Sequence, residues 1–375
     1  MDLSVAPATP VGALPPGEKQ LVEIAKALSH EARVMIFDEP TTSLTAHEVD
    51  RLFSIIRRLQ SRGLAMIYIS HVLKDVLRLC DKILVLRDGV MAGTGLAKQM
   101  TEEKMVTWMV GRKMEQMFPP RVARISNEPV LRVENLSQPG IVHDISFGVH
   151  EGEVLGISGL LGSGRTELAR IIFGLAPKTA GNILLAEQRL PADPRKVTNA
   201  GVAFLTEDRR QEGLLGIASI AQNVAFPCLT DYASRGLAVL QADRLRSAIE
   251  RMAGSVRIRA VDFDRMPVFS LSGGNQQKVV LAKWPLRAPK LFILDEPTRG
   301  IDVGANFEIY KAIDELAAAG AGVLMITSEI EELMGMCDRI LALSKGEITA
   351  AFTRDHFDQE AILRAAMGQS QQVRA

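Results

Sequence analysis

Cysteine is scarce. Three residues in 375, Cys80, Cys228 and Cys337, stand far apart along the chain. So few, so scattered, exclude a disulfide framework and a cysteine-rich zinc cluster, and they fit a reducing compartment. An excess of charge is also lacking, since 44 Lys and Arg stand against 44 Asp and Glu. That balance leaves no electrostatic footprint for a nucleic acid, and no such partner is expected. No run approaches the ~18 consecutive apolar residues that a membrane-spanning helix requires. The longest candidates, such as Gly322-Val-Leu-Met-Ile-Thr327, have the length of buried strands. The N-terminus lacks the basic segment and long apolar core of a secretory signal. The expectation is therefore a cytoplasmic chain that reaches a membrane only by docking to something else. What remains is 47% hydrophobic and 23% charged, an ordinary globular composition with length for two or three domains.

Self-similarity organises the chain. Residues 14–111 lie over residues 271–368 at a constant offset of 257, without a gap. Asp38-Glu39-Pro40-Thr41 falls on Asp295-Glu296-Pro297-Thr298, Cys80-Asp81 on Cys337-Asp338, and Gly89 on Gly346. The second copy is preceded by a stretch from near Val130 to Ser270 that reads as part of the same domain, whereas only thirteen residues precede the first copy. A front portion of roughly 128 residues is thus expected to be absent from the first copy, leaving its sheet partly uncovered. Between the copies, residues 114–127 contain Phe118-Pro-Pro120 and mixed charge, a linker composition. In the second half, apolar runs at 154–158, 202–205, 291–295 and 323–327 read as buried strands. Longer patterns at 166–173, 276–286, 303–318 and 329–336 read as helices. Such alternation predicts an α/β fold on a largely parallel sheet. Pro285 is expected to end or kink the helix it falls in.

Gly159-Leu-Leu-Gly162-Ser163-Gly164-Arg165-Thr166 follows a strand and precedes a helix. Except for Arg165, it fits the phosphate-loop pattern G-x-x-x-x-G-K-[ST]. Glycines let the backbone close around phosphates, the helix start favours anionic oxygens, and Thr166 supplies a hydroxyl suited to Mg²⁺. Arg165 keeps the positive charge but replaces a compact ammonium by a planar fork. The apolar strand Leu291-Phe-Ile-Leu-Asp295-Glu296 ends in two carboxylates, the first suited to Mg²⁺ and the second to polarising an attacking water. Asp38 and Glu39 repeat the pair. Leu271-Ser272-Gly273-Gly274-Asn275-Gln-Gln-Lys278 opens a helix with a hydroxyl and two glycines, another anion-binding helix start.

In their order and spacing these segments, with Gly300-Ile-Asp302, resemble a nucleotide-binding domain of the ABC (ATP-binding cassette) ATPases, which are P-loop NTPases. Leu-Ser-Gly-Gly-Asn-Gln-Gln-Lys, the loop with Arg165, and Thr206-Glu207-Asp208-Arg209 further resemble the second half of fused two-domain ATPases that power bacterial importers of ribose-, galactose- and xylose-type sugars. The resemblance implies a partial first nucleotide-binding domain at 1–113, a linker at 114–129, a complete second domain at 130–368 and a tail at 369–375. It implies ATP and Mg²⁺ as cofactors. The implied partners are a sugar permease in the membrane and, through it, a periplasmic sugar-binding protein. The implied location is peripheral, on the inner face of the cell membrane. It also places the helical subdomain that receives the permease over residues 221–226 and 242–253.

In that family each nucleotide lies between the phosphate loop of one domain and the signature of the other, so two unequal sites are expected. One joins the 159–166 loop to Leu14-Pro15-Pro16-Gly17-Glu18, where prolines replace phosphate-contacting residues. Glu207 stands there in place of the family's Gln, and Ser328 in place of its γ-phosphate-sensing His, while Glu296 keeps the expected carboxylate. This site is expected to bind nucleotide and to turn over slowly. The other joins Asp38, Glu39 and His71, thirty-two residues after Glu39, to Ser272, Gly273 and Gly274. The expected function is an energy-coupling ATPase subunit, impaired if its front portion is absent. The alternatives are an inactive gene remnant and a soluble ABC protein acting on ribosomes or DNA.

Overall fold

The computed structural model describes residues 6–29, 32–41, 44, 46–70, 72–87, 89–111, 118–233, 240–258, 260–301 and 303–369. The chain divides into two compact units, residues 1–117 and 118–375.

In the first unit, an amphipathic stretch opened by prolines forms α1 (Pro16–Leu28), followed by β1 (Val34–Asp38), α2 (Ala46–Gln60), β2 (Ala65–Ile69) and α3 (Leu73–Leu79). Then come β3 (Lys82–Arg87), β4 (Val90–Leu96) and α4 (Glu102–Val110). β1 and β2 pair in parallel, Val34 opposite Ala65 and Asp38 opposite Ile69, while β3 and β4 form a separate antiparallel pair. Because side chains alternate along a strand, β1 sends Met35 and Phe37 into a core with Leu21, Leu52 and Phe53 of the helices. Its other face stays open: Val34 is 54% exposed, Ile36 62% and, on β2, Ile67 51%.

The second unit begins with an antiparallel layer: β5 (Pro129–Gln138), β6 (Val142–His150), then, beyond β7 (Val154–Gly159) and α5 (Arg165–Ile172), β8 (Ala180–Leu185) and β9 (Gln188–Arg189), ordered β6-β5-β8-β9. It continues through α6 (Pro194–Ala200), β10 (Val202–Leu205), α7 (Ile220–Ala225), α8 (Ala242–Ser255), α9 (Gly273–Ala282), β11 (Leu291–Asp295), α10 (Val303–Ala318), β12 (Gly322–Ile326) and α11 (Ile330–Met336). β13 (Arg339–Ser344), β14 (Glu347–Thr353) and α12 (Gln359–Ala366) close the unit. The main sheet runs β10-β11-β12-β7-β13-β14, parallel except for β14. Both of its faces are covered. Leu155, Ile293 and Leu324 pack against α5 and the antiparallel layer, while Phe292, Leu294 and Val323 pack against α9 and α10. The repeat counterparts of Val34, Ile36 and Ile67 are Leu291, Ile293 and Leu324, all fully buried.

The four strand expectations appear within two residues of their ends. The helix expected over 276–286 instead starts at Gly273 and stops at Ala282, because the signature glycines are already helical and Pro285, which has no N–H to donate, begins a short 3₁₀ turn. Residues 118–124, in the stretch read as a linker, are anchored to the second unit. Arg121 ion-pairs with Asp314 and Asp338, each at 2.5 Å, and donates to the Gly152 carbonyl at 2.9 Å, while Phe118 rests on Tyr310 with ring centroids 5.0 Å apart.

Candidate functional site

β7 lies between β12 and β13 and ends at Gly159, from which the loop 160–164 turns into α5. Gly164 takes φ 100°, and a Cβ on it would lie 2.9 Å from the Ile141 carbonyl oxygen, so only glycine lets the chain enter the helix there. The Gly346 N–H donates to the Ser163 carbonyl at 2.9 Å and fixes the loop from the β13–β14 turn. α5 opens without a side-chain cap, which leaves its first amides to an outside acceptor. Arg165 is its first residue and Thr166 its second.

The parallel register brings the ends of β11 and β12 beside this helix start. Arg165 is buried, donates from Nη1 to the Thr327 carbonyl at 2.7 Å, and places Nη2 4.0 Å from Glu296 Oε1. Burial lowers the guanidinium's pKa, opposed by the charges of Glu296 and Asp295. Glu296 sits at φ 48°, a left-handed conformation for a non-glycine residue, and its N–H donates to the Ile326 carbonyl at 2.8 Å. Its carboxylate accepts from the Ser328 N–H at 2.8 Å and from the Ser328 hydroxyl at 3.3 Å, and the Thr327 hydroxyl oxygen lies 3.3 Å from it. Burial raises the Glu296 pKa, while Arg165 and Ser328 pull it back.

Asp295 is wholly buried, and neither of its oxygens meets a donor at hydrogen-bond geometry. Desolvation pushes its carboxyl up to about 6, with the nearby Thr166 hydroxyl partly opposing the rise. A buried carboxylate left in this state is costly unless a cation or proton joins it. Among the described residues no three His, Cys, Asp or Glu side chains gather as a metal-binding group. One carboxylate and one hydroxyl beside a loop of the phosphate-loop pattern are instead the partial set expected for Mg²⁺, which keeps waters and substrate oxygens as its other ligands. The residues present fit that ion.

The other expected site residues fall around this centre or apart from it. Glu207 forms an ion pair with Arg299 on the surface. Ser272 is the N-cap of α9 and accepts from the Asn275 amide at 3.1 Å. A Cβ on Gly273 would meet Arg209 Nη2 at 2.7 Å and the Gly300 carbonyl at 2.9 Å, and the same guanidinium donates to the carbonyls of Arg299 and Gly300 at 2.7 and 3.0 Å. The signature is thereby tied to the loop after Glu296. Gly274 is buried behind it. In the first unit, Asp38 ends β1 opposite Ile69, and Glu39 repeats the Glu296 geometry, with φ 49° and an N–H donating to the Ile69 carbonyl at 2.9 Å. His71 lies outside the described residues.

Two residues at the centre carried no sequence expectation. Thr327 receives Arg165 on its carbonyl and donates its hydroxyl to Glu332 at 2.9 Å. Glu332, buried on α11, also accepts from Tyr310 and Thr298. The repeat held a signal for the first, because Thr327 falls on Ser70 and keeps a hydroxyl.

Comparison with known proteins identifies relatives of this chain. The family model described as ABC transporter matches residues 142–299. The ribose import ATP-binding protein RbsA of Geobacillus kaustophilus is 44% identical over 369 residues, covering 98% of this chain and 74% of the relative. A putative ribose/galactose/methyl galactoside import ATP-binding protein of Pseudomonas fluorescens is 41% identical over 98% of this chain and 70% of its own length. Among solved structures, the dimeric bacterial ABC transporter cassette MJ0796 superposes with a TM-score of 0.53 at 21% identity, covering 60% of this chain and all of that one. The last likeness concerns the fold alone.

Proposed function

Because the chain belongs to the ABC transporter family, alongside the ribose-type import ATP-binding proteins, we propose that it is the ATP-binding and ATP-hydrolysing subunit that couples energy to carbohydrate import. The observation that carries this reading is the buried, donor-less Asp295 beside Thr166 at the mouth of a loop whose next residue is a buried cation.

In this reading the amides of residues 159–166 and the Arg165 guanidinium bind the phosphates of ATP. Thr166 and Asp295 would hold Mg²⁺, which when bound neutralises charge on the phosphate oxygens. Glu296 orients the attacking water, with Arg165 and the Ser328 donors fixing where its carboxylate points. Ser328 faces the outer phosphate. Gly162, Ser163 and Gly164 shape the loop. Ser272, Gly273, Gly274 and Asn275 present the second anion-binding helix start, and Asp38, Glu39 and His71 repeat the carboxylates and add an imidazole for the first unit. Glu207 answers to Arg299 and serves as a link between the 206–209 segment and the loop after Glu296.

The coupled partner is a membrane permease. No helix among the described residues is long and apolar enough to cross a membrane. The second unit carries a groove of about 790 Å³ between α7, α8 and the 261–264 segment, lined by Leu215, Phe226, Leu229, Leu240, Leu245 and Val261. Phe226 is 60% exposed there, an apolar surface of the kind that takes a partner's helix. The chain thereby docks on the inner face of the cell membrane.

The test is photocrosslinking of an azido-ATP with Mg²⁺ on the full chain, followed by peptide mapping. Label within 159–173 that excess ATP displaces is expected. Absence of specific label, with Asp295→Asn unchanged in behaviour, refutes the reading.

A further inference from the structure

A buried carboxylate that three hydroxyls address stands behind the centre just described. Glu332 Oε1 accepts from Tyr310 at 2.6 Å and from Thr298, and Oε2 accepts from Thr327 at 2.9 Å. The three donors come from three elements. Thr298 follows the β11 carboxylates, Tyr310 belongs to α10, and Thr327 follows β12. Thr327 in turn meets both groups of the centre, its hydroxyl oxygen lying 3.3 Å from Glu296 and its carbonyl accepting Arg165 at 2.7 Å.

A pure packing role explains this cluster poorly. Burying a charged group costs several kcal/mol that hydrophobic residues of the same volume avoid, and removing one member of such a cluster strands the others. At the offset of 257, Thr298 corresponds to Thr41, Thr327 to Ser70 and Glu332 to Asp75, but Tyr310 corresponds to Phe53. In the first unit Tyr68 on β2 packs edge-on against Phe53, and its hydroxyl and that of Thr41 are buried without a hydrogen-bond partner among the described residues. The hydrogen-bonded cluster around Glu332 therefore belongs to the second unit.

We propose that Glu332 is a positioning residue for the nucleotide site, holding Thr327 so that Glu296, Arg165 and Ser328 face the outer phosphate. The proposal rests on the reading of 159–166 as an ATP site. Glu332 touches no nucleotide in this arrangement. Its effect reaches only the end of the site where Thr327 and Ser328 lie, because the loop and Thr166 are set by β7 and α5. ATP and ADP differ only at that end, so the ratio of their affinities reports on the cluster.

The experiment titrates the full chain with ATP and with ADP in Mg²⁺, comparing wild type, Glu332→Gln and Tyr310→Phe, with a thermal melt on each. Loss of one hydrogen bond to a charged acceptor predicts about a tenfold loss in ATP affinity, with ADP affinity within about twofold of wild type. If ATP and ADP weaken in proportion, or if neither changes in variants that melt as wild type does, Glu332 is structural only and the proposal falls. A wild-type chain that binds neither nucleotide refutes the ATP-site reading itself, an outcome distinct from an unchanged ATP-to-ADP ratio.

Discussion

Arg165 Nη2 stands 4.0 Å from Glu296 Oε1, so the cation that follows the glycine loop faces the carboxylate that follows β11. Both side chains are nearly buried, at 10% and 12% exposure. A charge pair at that distance and burial is screened far less than a surface pair, and each partner shifts the other's titration. In the proposed reading, a phosphate entering the loop competes with Glu296 for one guanidinium.

That competition makes Arg165 measurable. Arg165→Ala removes the cation from both, and triphosphate affinity is expected to fall roughly tenfold or more. Arg165→Lys restores charge but lacks the planar fork that reaches the Thr327 carbonyl and Glu296 together, so a smaller loss, about threefold, is expected. Nucleotide titration at pH 7 checks the order. A lysine variant as weak as the alanine variant would show that the fork, not the charge, holds the phosphate.

Asp295 gives a prediction with a sign. Its carboxyl is raised from 3.8 to about 6 by desolvation, so between those values the folded state holds a proton that the unfolded state has lost. Stability from this group is therefore full below pH 4 and falls as pH rises through about 6. Above that, keeping the carboxylate ionised costs about 3 kcal/mol, since each tenfold change in proton affinity is worth ~1.4 kcal/mol. Asp295→Asn is expected to stabilise the second unit by about 1–3 kcal/mol at pH 7.5 and by little at pH 4.5, while abolishing the effect of Mg²⁺ on nucleotide binding. Denaturant melts at the two pH values test the first part. A variant less stable than wild type at pH 7.5 contradicts the assignment of a strained, cation-seeking carboxylate.

The sequence makes Asp295 and the glycine loop legible because the chemistry there is local: a strand, a turn and a helix start lie within a dozen residues, and the spacing itself encodes the geometry. The parallel sheet is legible for a similar reason, since strands buried on both faces read as unbroken apolar runs such as Leu291-Phe-Ile-Leu. Glu332 is not legible. On α11 it is one of three acids in Glu329-Ile-Glu-Glu332, and nothing local separates the buried member from the exposed ones. Residues 118–124 mislead in the opposite sense. Phe118-Pro-Pro120 has the composition of a connector, and only the fold brings Asp314 and Asp338 to Arg121.

That anchor is testable as stability. Removing one member of a buried, hydrogen-bonded ion cluster strands the others, and Arg121→Ala leaves Asp314 and Asp338 without their shared cation. The expected loss is about 3–5 kcal/mol in the second unit. A free linker would give less than about 0.5 kcal/mol, the usual range for surface changes. Chemical denaturation followed by hydrogen exchange in β11 and β12 separates the two outcomes.

The repeat supplies its own control for the open face of the first unit. Ile36 and Ile293 hold the same position in the two copies, one 62% exposed and the other fully buried. Lysine at 293 must place a charged ammonium between the parallel sheet and the antiparallel layer, which costs several kcal/mol or shifts the group to its neutral form. Lysine at 36 keeps its head in water and lays its stem on Val34 and Ile67, so stability changes by no more than about 0.5 kcal/mol. Amide exchange in β1 is accordingly expected to match wild type in Ile36→Lys, whereas exchange in β11 accelerates by orders of magnitude in Ile293→Lys. If Ile36→Lys is as disruptive as its counterpart, the face of β1 is covered in solution, and the exposure of Val34, Ile36 and Ile67 is filled by other protein.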